Sequence, residues 1–357
     1  MDPKVRNLSL FVLPRVAGLA LIVWCLVTAL RHATASGLLA ANGSVIMFLG
    51  LQAVVVVVVL SWRVGLAVVR RLMVPPKSPL QYGKWAIVTG STSGIGEEFT
   101  RHLHAQEGMS ILLVSRSKEK LEAQVASLAA CGGQGIVRYL VHDFTTRDAV
   151  VRTDFYAKLK QECSKMSADG GLGLLVNNVG MANEIPKALD ELSVEECEDL
   201  LHCNTHSTVF MTRAVLPIMK QQHNGAVICV SSGSGNHPGP FISVYSATKA
   251  FMTQFSRSMH VECWDSGVDF LVVTPFYIVS NLFKRRAGTI IAPMPDVLVR
   301  GTLAQLGKKY VWQGHGYWFH GLLGNLASYY PETTRRWRKM MVDNRKRWDR
   351  REAKKKE

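Results

Sequence analysis

The sequence predicts an α/β protein built on a doubly wound parallel sheet. Three observations predict it. Short apolar runs recur at residues 84–89, 110–114, 136–141, 174–177, 226–230 and 270–273, each the length of a buried strand. Helical stretches such as residues 147–163 fall between them, and βαβα order implies parallel strands with helices on both faces. The first run leads at once into a glycine-rich turn, Gly90-Ser-Thr-Ser-Gly94-Ile-Gly96, with a helix starting near Ile95.

Composition sets the frame. The chain has 357 residues, a formal charge of +15 and 48% hydrophobic residues. That length suits one large domain with additions. The basic balance points to an anionic partner, a nucleic acid or a membrane surface. The seven Cys are scattered and form no CxxC pair. This argues against a disulfide framework or a zinc site, and no metal site is expected.

The additions begin at the N-terminus. Val16 to Leu30 is almost wholly apolar, and Val45 to Leu60 contains six consecutive valines, Val54 to Val59. A membrane span takes about 20 apolar residues, and each run reaches that length with its flanks. Neither has a polar face, and no clear signal-cleavage site follows the first. A transmembrane two-span hairpin over residues 1–74 is expected. Lys4 and Arg6 precede the first run, and Arg63, Arg70, Arg71 and Lys77 follow the second. The positive charge therefore puts both ends in the cytosol. Residues 75–82, with Pro75, Pro76 and Pro79, read as a stiff linker. The α/β domain then occupies residues 83–312.

Its first strand and glycine turn make a dinucleotide site. Glycines there permit a tight turn and close approach of backbone to a pyrophosphate. The following helix N-terminus offers amide donors to the phosphate. Gly90, Ser91, Ser93, Gly94, Ile95 and Gly96 are the candidate contacts, in a Rossmann-like arrangement. After the second strand, where an NAD site carries an acidic residue for the ribose, this chain has Arg116. A guanidinium suits a 2′-phosphate and favours NADPH. Asp143 follows the third strand, placed for the adenine edge. Asn178 and Gly180 follow the fourth. Asn178 either ties neighbouring strands together or contacts the cofactor.

The fifth strand ends in Ser231 and Ser232, and a Gly/Pro-rich loop leads to Tyr245 and Lys249. Four residues apart on a helix is one face, one turn apart. A nearby positive charge lowers a phenol's pKa and brings Tyr245 toward general-acid range. Ser232 is placed to hold a carbonyl oxygen beside it.

These motifs, taken in order, resemble the short-chain dehydrogenase/reductase family. Thr89 to Gly96 (TGSTSGIG), Asn177 to Gly180 (NNVG), Asn204, Ser232 and Tyr245 to Lys249 (YSATK) all match, over residues 83 to about 310. Ser115 to Leu121 (SRSKEKL) and Val230 to Gly235 (VSSGSG) narrow the resemblance. They look like the microsomal very-long-chain 3-oxoacyl-CoA reductases, relatives of certain 17β-hydroxysteroid dehydrogenases. The resemblance implies a catalytic tetrad of Asn204, Ser232, Tyr245 and Lys249, with Asn204 holding a water that links Lys249 to solvent. It also implies cofactor contacts from Tyr245, Lys249, Pro275, Ile278 and Ser280. The family often has Pro-Gly after the sixth strand, where this chain has Pro275-Phe276-Tyr277.

The implied activity is NADPH-dependent reduction of a long-chain 3-oxoacyl-CoA in fatty-acid elongation, at the endoplasmic reticulum membrane with the catalytic domain facing the cytosol. The alternatives are a steroid 17-ketone reductase and a non-catalytic membrane scaffold. Other elongation enzymes and a second copy of the chain are the implied protein partners. Lys284, Arg285 and Arg286 offer charge to the phosphates of coenzyme A. Residues 313–334, aromatic and apolar from Tyr317 to Tyr330, read as a membrane-interfacial helix or a helix of the substrate lobe. Residues 335–357 are a basic tail suited to anionic lipid headgroups rather than nucleic acid, and Lys354 and Lys355 resemble a dilysine retrieval signal.

Overall fold

The structure is a computed structural model. It describes residues 28, 50, 52–59, 61, 62, 65, 75–183, 185–280, 288–308, 311–329, 338–343, 345–347, 349 and 350. The chain divides into two units, Met1–Pro75 and Pro76–Glu357.

In the second unit seven parallel strands stand in the order β3-β2-β1-β4-β5-β6-β7. They are β1 (Trp85–Thr89), β2 (Ser110–Ser115), β3 (Val137–Val141), β4 (Leu172–Asn177), β5 (Gly225–Val230), β6 (Val268–Val273) and β7 (Gln313–Gly314). Strands β1, β2, β4 and β5 are buried at every position, which is why they read as unbroken apolar runs. Alternate side chains feed two cores. Trp85, Ile87, Leu112 and Val114 pack on one face with Phe155, Val215 and Met252. Ala86, Val88, Ile111 and Leu113 pack on the other with Phe99, Leu121 and Leu298.

The first face carries α3 (Ala149–Ala168), α5 (Ser207–Gln221) and α6 (Ser243–Glu262). The second carries α1 (Gly94–Ala105), α2 (Lys118–Ala130) and α7 (Pro295–Leu303). Polar caps fix where helices start. Ser117 accepts from Lys120 N at α2, and Asp148 accepts from Val150 N and Val151 N at α3, using amides the helix cannot bond itself. Ser193 and Glu196 form a capping box at α4 (Val194–Leu201). One π-helical turn, His202–His206, joins α4 to α5.

Strand order reverses between β1 and β4, and ligands of such sheets bind outside the strand C-termini at that point. Register brings the ends into line, with Thr89 opposite Val114 and Val230 opposite Val273.

One expectation is corrected. Residues 75–82 are expected as a linker, and from Pro76 on they belong to the second unit. Lys77 N donates to Leu306 O, and the buried Tyr82 donates to Asp269 at 2.5 Å. The predicted hairpin lies mostly outside the described residues. In the first unit residues 52–59 are helical, with Val54, Val55, Val56, Val58 and Val59 exposed. Among the described residues no helix is long and apolar enough to cross a membrane. The aromatic segment forms α8 (Trp318–Tyr329), and its His320 is fully buried.

Candidate active site

The glycine turn is shaped by three close approaches. Gly90 and Gly94 have φ of +63° and +58°, the left-handed region that glycine enters freely. A Cβ on Gly96 would lie 2.2 Å from the Gly90 carbonyl oxygen. Neighbours hold the turn from outside. Asn178 Nδ2 donates to Thr89 O (3.0 Å) and Gly90 O (3.2 Å). Gln124 Nε2 donates to Ser91 O at 2.7 Å, and the Thr92 and Ser115 hydroxyls share a bond of 2.9 Å. Of the two roles open to Asn178, its side-chain nitrogen performs the strand tie. Ser93 makes no capping bond with its hydroxyl at the head of α1.

The other cofactor candidates follow their strands onto the same edge. Arg116, directly after β2, is exposed and has no hydrogen bond or ion pair among the described residues. Asp143 follows β3 and is also exposed, and its Oδ1 accepts from Thr145 N and Oγ1. Pro275 and Ile278 are buried after β6. The Ser280 Cβ would be 3.2 Å from a Cβ on Gly94, so this segment lies against the glycine turn. Two left-handed glycines and a third that admits no Cβ form a backbone cradle that fits the pyrophosphate of a dinucleotide.

Beside the cradle stand the residues of the tetrad. Ser231 donates to Lys249 O at 2.7 Å and fastens the end of β5 to α6. Ser232 opens a 3-10 turn, Gly233–Gly235. Its Oγ accepts from Ser234 N (3.2 Å) and Ser234 Oγ (2.9 Å). Helix α6 carries Tyr245 and Lys249 one turn apart, with the Lys249 Nζ 5.9 Å from the Tyr245 ring centroid. Lys249 is buried and donates to Val230 O at 3.0 Å. Asn204 sits in the π-helical turn. Its Oδ1 accepts from Met181 N (2.8 Å), and its Nδ2 donates to Met181 O (3.0 Å) and Thr248 Oγ1 (2.9 Å). A Cβ on Gly180 would lie 3.1 Å from Lys249 Nζ and 3.2 Å from Asn204 Oδ1. Glycine therefore lets these two groups come together.

Electrostatics corrects one expectation. The sequence predicts that Lys249 lowers the Tyr245 pKa. Burial instead pushes the Tyr245 phenol up, and the neighbouring Ser232 and Ser234 hydroxyls offset this only in part. Burial pushes Lys249 down to about 8, against a smaller upward pull from Cys203 and Cys229. In the free protein, desolvation outweighs the pair interaction. Tyr245 is a protonated phenol at neutral pH, the form that can give a proton away.

Sequence reasoning missed Ser234, Thr248, Gln124 and the partners of Phe276. Phe276 lies against Gly233, 2.8 Å from where a Cβ would stand. Phe276 N donates to His320 Nδ1 (3.3 Å), which leaves His320 Nε2 to donate to Ile291 O (3.1 Å). Burial pushes His320 down to about 4, so the ring is neutral. Residues 338–350, helical where described, also reach this side. Arg345 bonds Pro186 O and Glu191 Oε2, both at 2.9 Å, and Met340 Sδ accepts from Tyr277 at 3.9 Å. Lys284, Arg285, Arg286, Lys354 and Lys355 lie outside the described residues.

A dinucleotide cradle and a Ser–Tyr–Lys constellation on one sheet edge define an NAD(P)-dependent oxidoreductase of ketones or secondary alcohols. The chain belongs to the short-chain dehydrogenase/reductase family, whose short chain dehydrogenase profile matches residues 84–289. Within it the chain groups with the very-long-chain 3-oxoacyl-CoA reductases. It is 36% identical to the Homo sapiens protein of that name over 253 residues, 70% of this chain and 76% of that one. It is 31% identical to the inactive hydroxysteroid dehydrogenase-like protein 1 of Homo sapiens over 258 residues, 71% of this chain and 74% of that one. A short-chain dehydrogenase from Sphingobium yanoikuyae, solved with NADPH, superposes with a TM-score of 0.55. It is 25% identical and covers 64% of this chain and 85% of its own.

Proposed function

We propose that this enzyme reduces a long-chain 3-oxoacyl-CoA to the 3-hydroxyacyl-CoA, with NADPH as reductant, in fatty-acid elongation at the endoplasmic reticulum membrane. The observation that carries the chemistry is Tyr245, one helical turn from the buried Lys249 and beside the Ser232 and Ser234 hydroxyls, with burial holding its phenol protonated. The similarity to 3-oxoacyl-CoA reductases over most of the catalytic unit supports the substrate class. The exposed valine helix of the first unit supports the membrane site, and the positive charge at residues 63–77 supports a catalytic unit in the cytosol.

NADPH supplies the hydride. Gly90, Ser91, Ser93, Gly94, Ile95 and Gly96 would hold its pyrophosphate. Arg116, without an ion pair among the described residues, would take the 2′-phosphate. Asp143 would meet the adenine, Lys249 the ribose, and Ile278 and Ser280 the carboxamide. Tyr245 Oη gives its proton to the substrate oxygen as negative charge develops there. Ser232 donates a hydrogen bond to the same oxygen. Lys249 then faces the Tyr245 phenolate, and in a buried site that charge acts strongly. Lys284, Arg285 and Arg286 attract the coenzyme A phosphates, while the acyl chain stays toward lipid.

The test compares a long-chain 3-oxoacyl-CoA with a steroid 17-ketone on the full chain. Replacing Lys284, Arg285 and Arg286 with Ser should raise KM for the acyl-CoA about tenfold, equivalent to about 1.4 kcal/mol. The steroid KM should move much less. Equal effects, or faster reduction of the steroid, would transfer the assignment to a hydroxysteroid dehydrogenase.

A further inference from the structure

Ser232 Oγ has two acceptor positions and one proton. Both acceptor positions are filled by the same residue, through Ser234 N at 3.2 Å and Ser234 Oγ at 2.9 Å. The proton of Ser232 is therefore left for a partner other than Ser234. Ser234 is buried. Its backbone belongs to the Gly233–Gly235 turn that Phe276 presses against and that Gly235 seats on α6, where a Cβ would meet the Lys249 carbonyl carbon at 2.6 Å. The Ser234 backbone is thus held in place, and its hydroxyl can turn only among the groups around it.

We propose that Ser234 is a further member of the catalytic hydrogen-bond network, donating to Ser232 before proton transfer and to the Tyr245 oxygen after it. The balance is simple. Tyr245 Oη–H breaks as the substrate O–H forms, and the electron pair of the broken bond stays on Tyr245. That oxygen then needs donors. Ser232 can serve only one acceptor at a time, and in the reacting complex it is engaged with the substrate oxygen. Ser234 Oγ, 2.9 Å from Ser232 Oγ, is the other hydroxyl near enough to Tyr245 to favour its phenolate. Rotation about one side-chain bond moves its proton from Ser232 to the new phenolate. A hydrogen bond to a charged acceptor is worth about twice one between neutral groups, so the stabilisation grows as the reaction proceeds and acts on the transition state. The inference holds for any ketone and does not rest on the acyl-CoA reading.

The experiment uses the full chain with whichever ketone it reduces fastest, in both reaction directions. Ser234→Ala should lower kcat about tenfold to a hundredfold, the loss expected for one hydrogen bond to a charged group, with KM for the ketone and Kd for NADPH unchanged. In alcohol oxidation the acid limb of the pH profile should move to higher pH, because the phenolate has lost a donor. Ser234→Thr, which keeps the hydroxyl, should recover most of the rate. Adding Ser234→Ala to Ser232→Ala should cost less than it does alone, since the two serines act as a unit. Three outcomes would overturn the proposal: a wild-type kcat, an unshifted limb, or additive losses accompanied by weakened NADPH binding, which would mark Ser234 as a structural part of the turn.

Discussion

Tyr245 and Lys249 share one face of α6, and burial moves their pKa values in opposite directions. Tyr245 is raised and keeps its proton through neutral pH, while Lys249, lowered to about 8, is an ammonium below that pH and an amine above it. Reduction uses both charge states, a phenol to give the proton and a cation to face the phenolate. For the free enzyme kcat/KM of reduction should be flat below pH about 8 and then fall about tenfold per unit as Lys249 loses its proton. Stability runs the other way in sign. The unfolded chain, with Lys249 near its ordinary 10.5, binds more protons than the native one between about 8 and 10.5. The Lys249 contribution to unfolding free energy therefore rises with pH through that window. A pH–rate profile without an alkaline limb near 8 would refute the pairing. Arg116 makes no ion pair among the described residues. Arg116→Asp should weaken NADPH binding about tenfold to a hundredfold, the range for one charge-assisted contact, and leave NADH little changed. Titration of both cofactors checks this, and an unchanged ratio makes Arg116 a bystander.

At the scale of elements, the strands that build the site were legible because burial on both faces leaves an apolar signature that no helix face shares. Their ends were less so. β6 starts at Val268 and α3 runs on to Ala168, because a parallel partner or a helix dock extends an element past its pattern. β7 is two residues, Gln313–Gly314, paired to Val272 and Val273. Its existence depends on β6 and not on its own composition. Tyr245, Lys249 and Ser232 were readable from spacing along the chain. Ser234 and Thr248 were not, because their roles come from what the turn and the π-helical segment bring to them. Asn178 shows the same dependence, since its side chain crosses from the end of β4 to the end of β1. Asn178→Ala would strand the Thr89 and Gly90 carbonyls in a half-buried place. The expected cost is about 1–3 kcal/mol, seen as a Tm lower by about 2–4 °C per kcal/mol. NADPH binding should weaken as the glycine turn loosens. A thermal melt superposing on wild type would mean that the tie carries no load.

For the whole molecule, the division into Met1–Pro75 and Pro76–Glu357 places the boundary just before a docked segment. Lys77 Nζ donates to Asn224 Oδ1 at 2.6 Å and stands over the Tyr82 ring at 3.8 Å. Tyr82 in turn bonds Asp269, at the start of β6. The segment therefore closes the edge of the sheet opposite the site, and among the described residues the apolar positions of both cores lie within the second unit. Chain beginning at Pro75 keeps every one of these contacts. It should fold, bind NADPH and reduce a water-soluble short-chain 3-oxoacyl-CoA at close to the rate of the full chain. If the first unit is the membrane anchor, the shortened chain should leave the membrane fraction that holds the full chain after an alkaline wash. Chain beginning at Gly83 loses the Lys77, Pro79 and Tyr82 contacts and exposes Asp269, so it should melt lower and bind NADPH less well. Sedimentation and thermal melts of the three lengths separate the two roles. A shortened chain from Pro75 that stays with the membrane would move the anchor into the second unit. One that fails to fold would mean that residues 1–74 complete the catalytic unit as well as tether it.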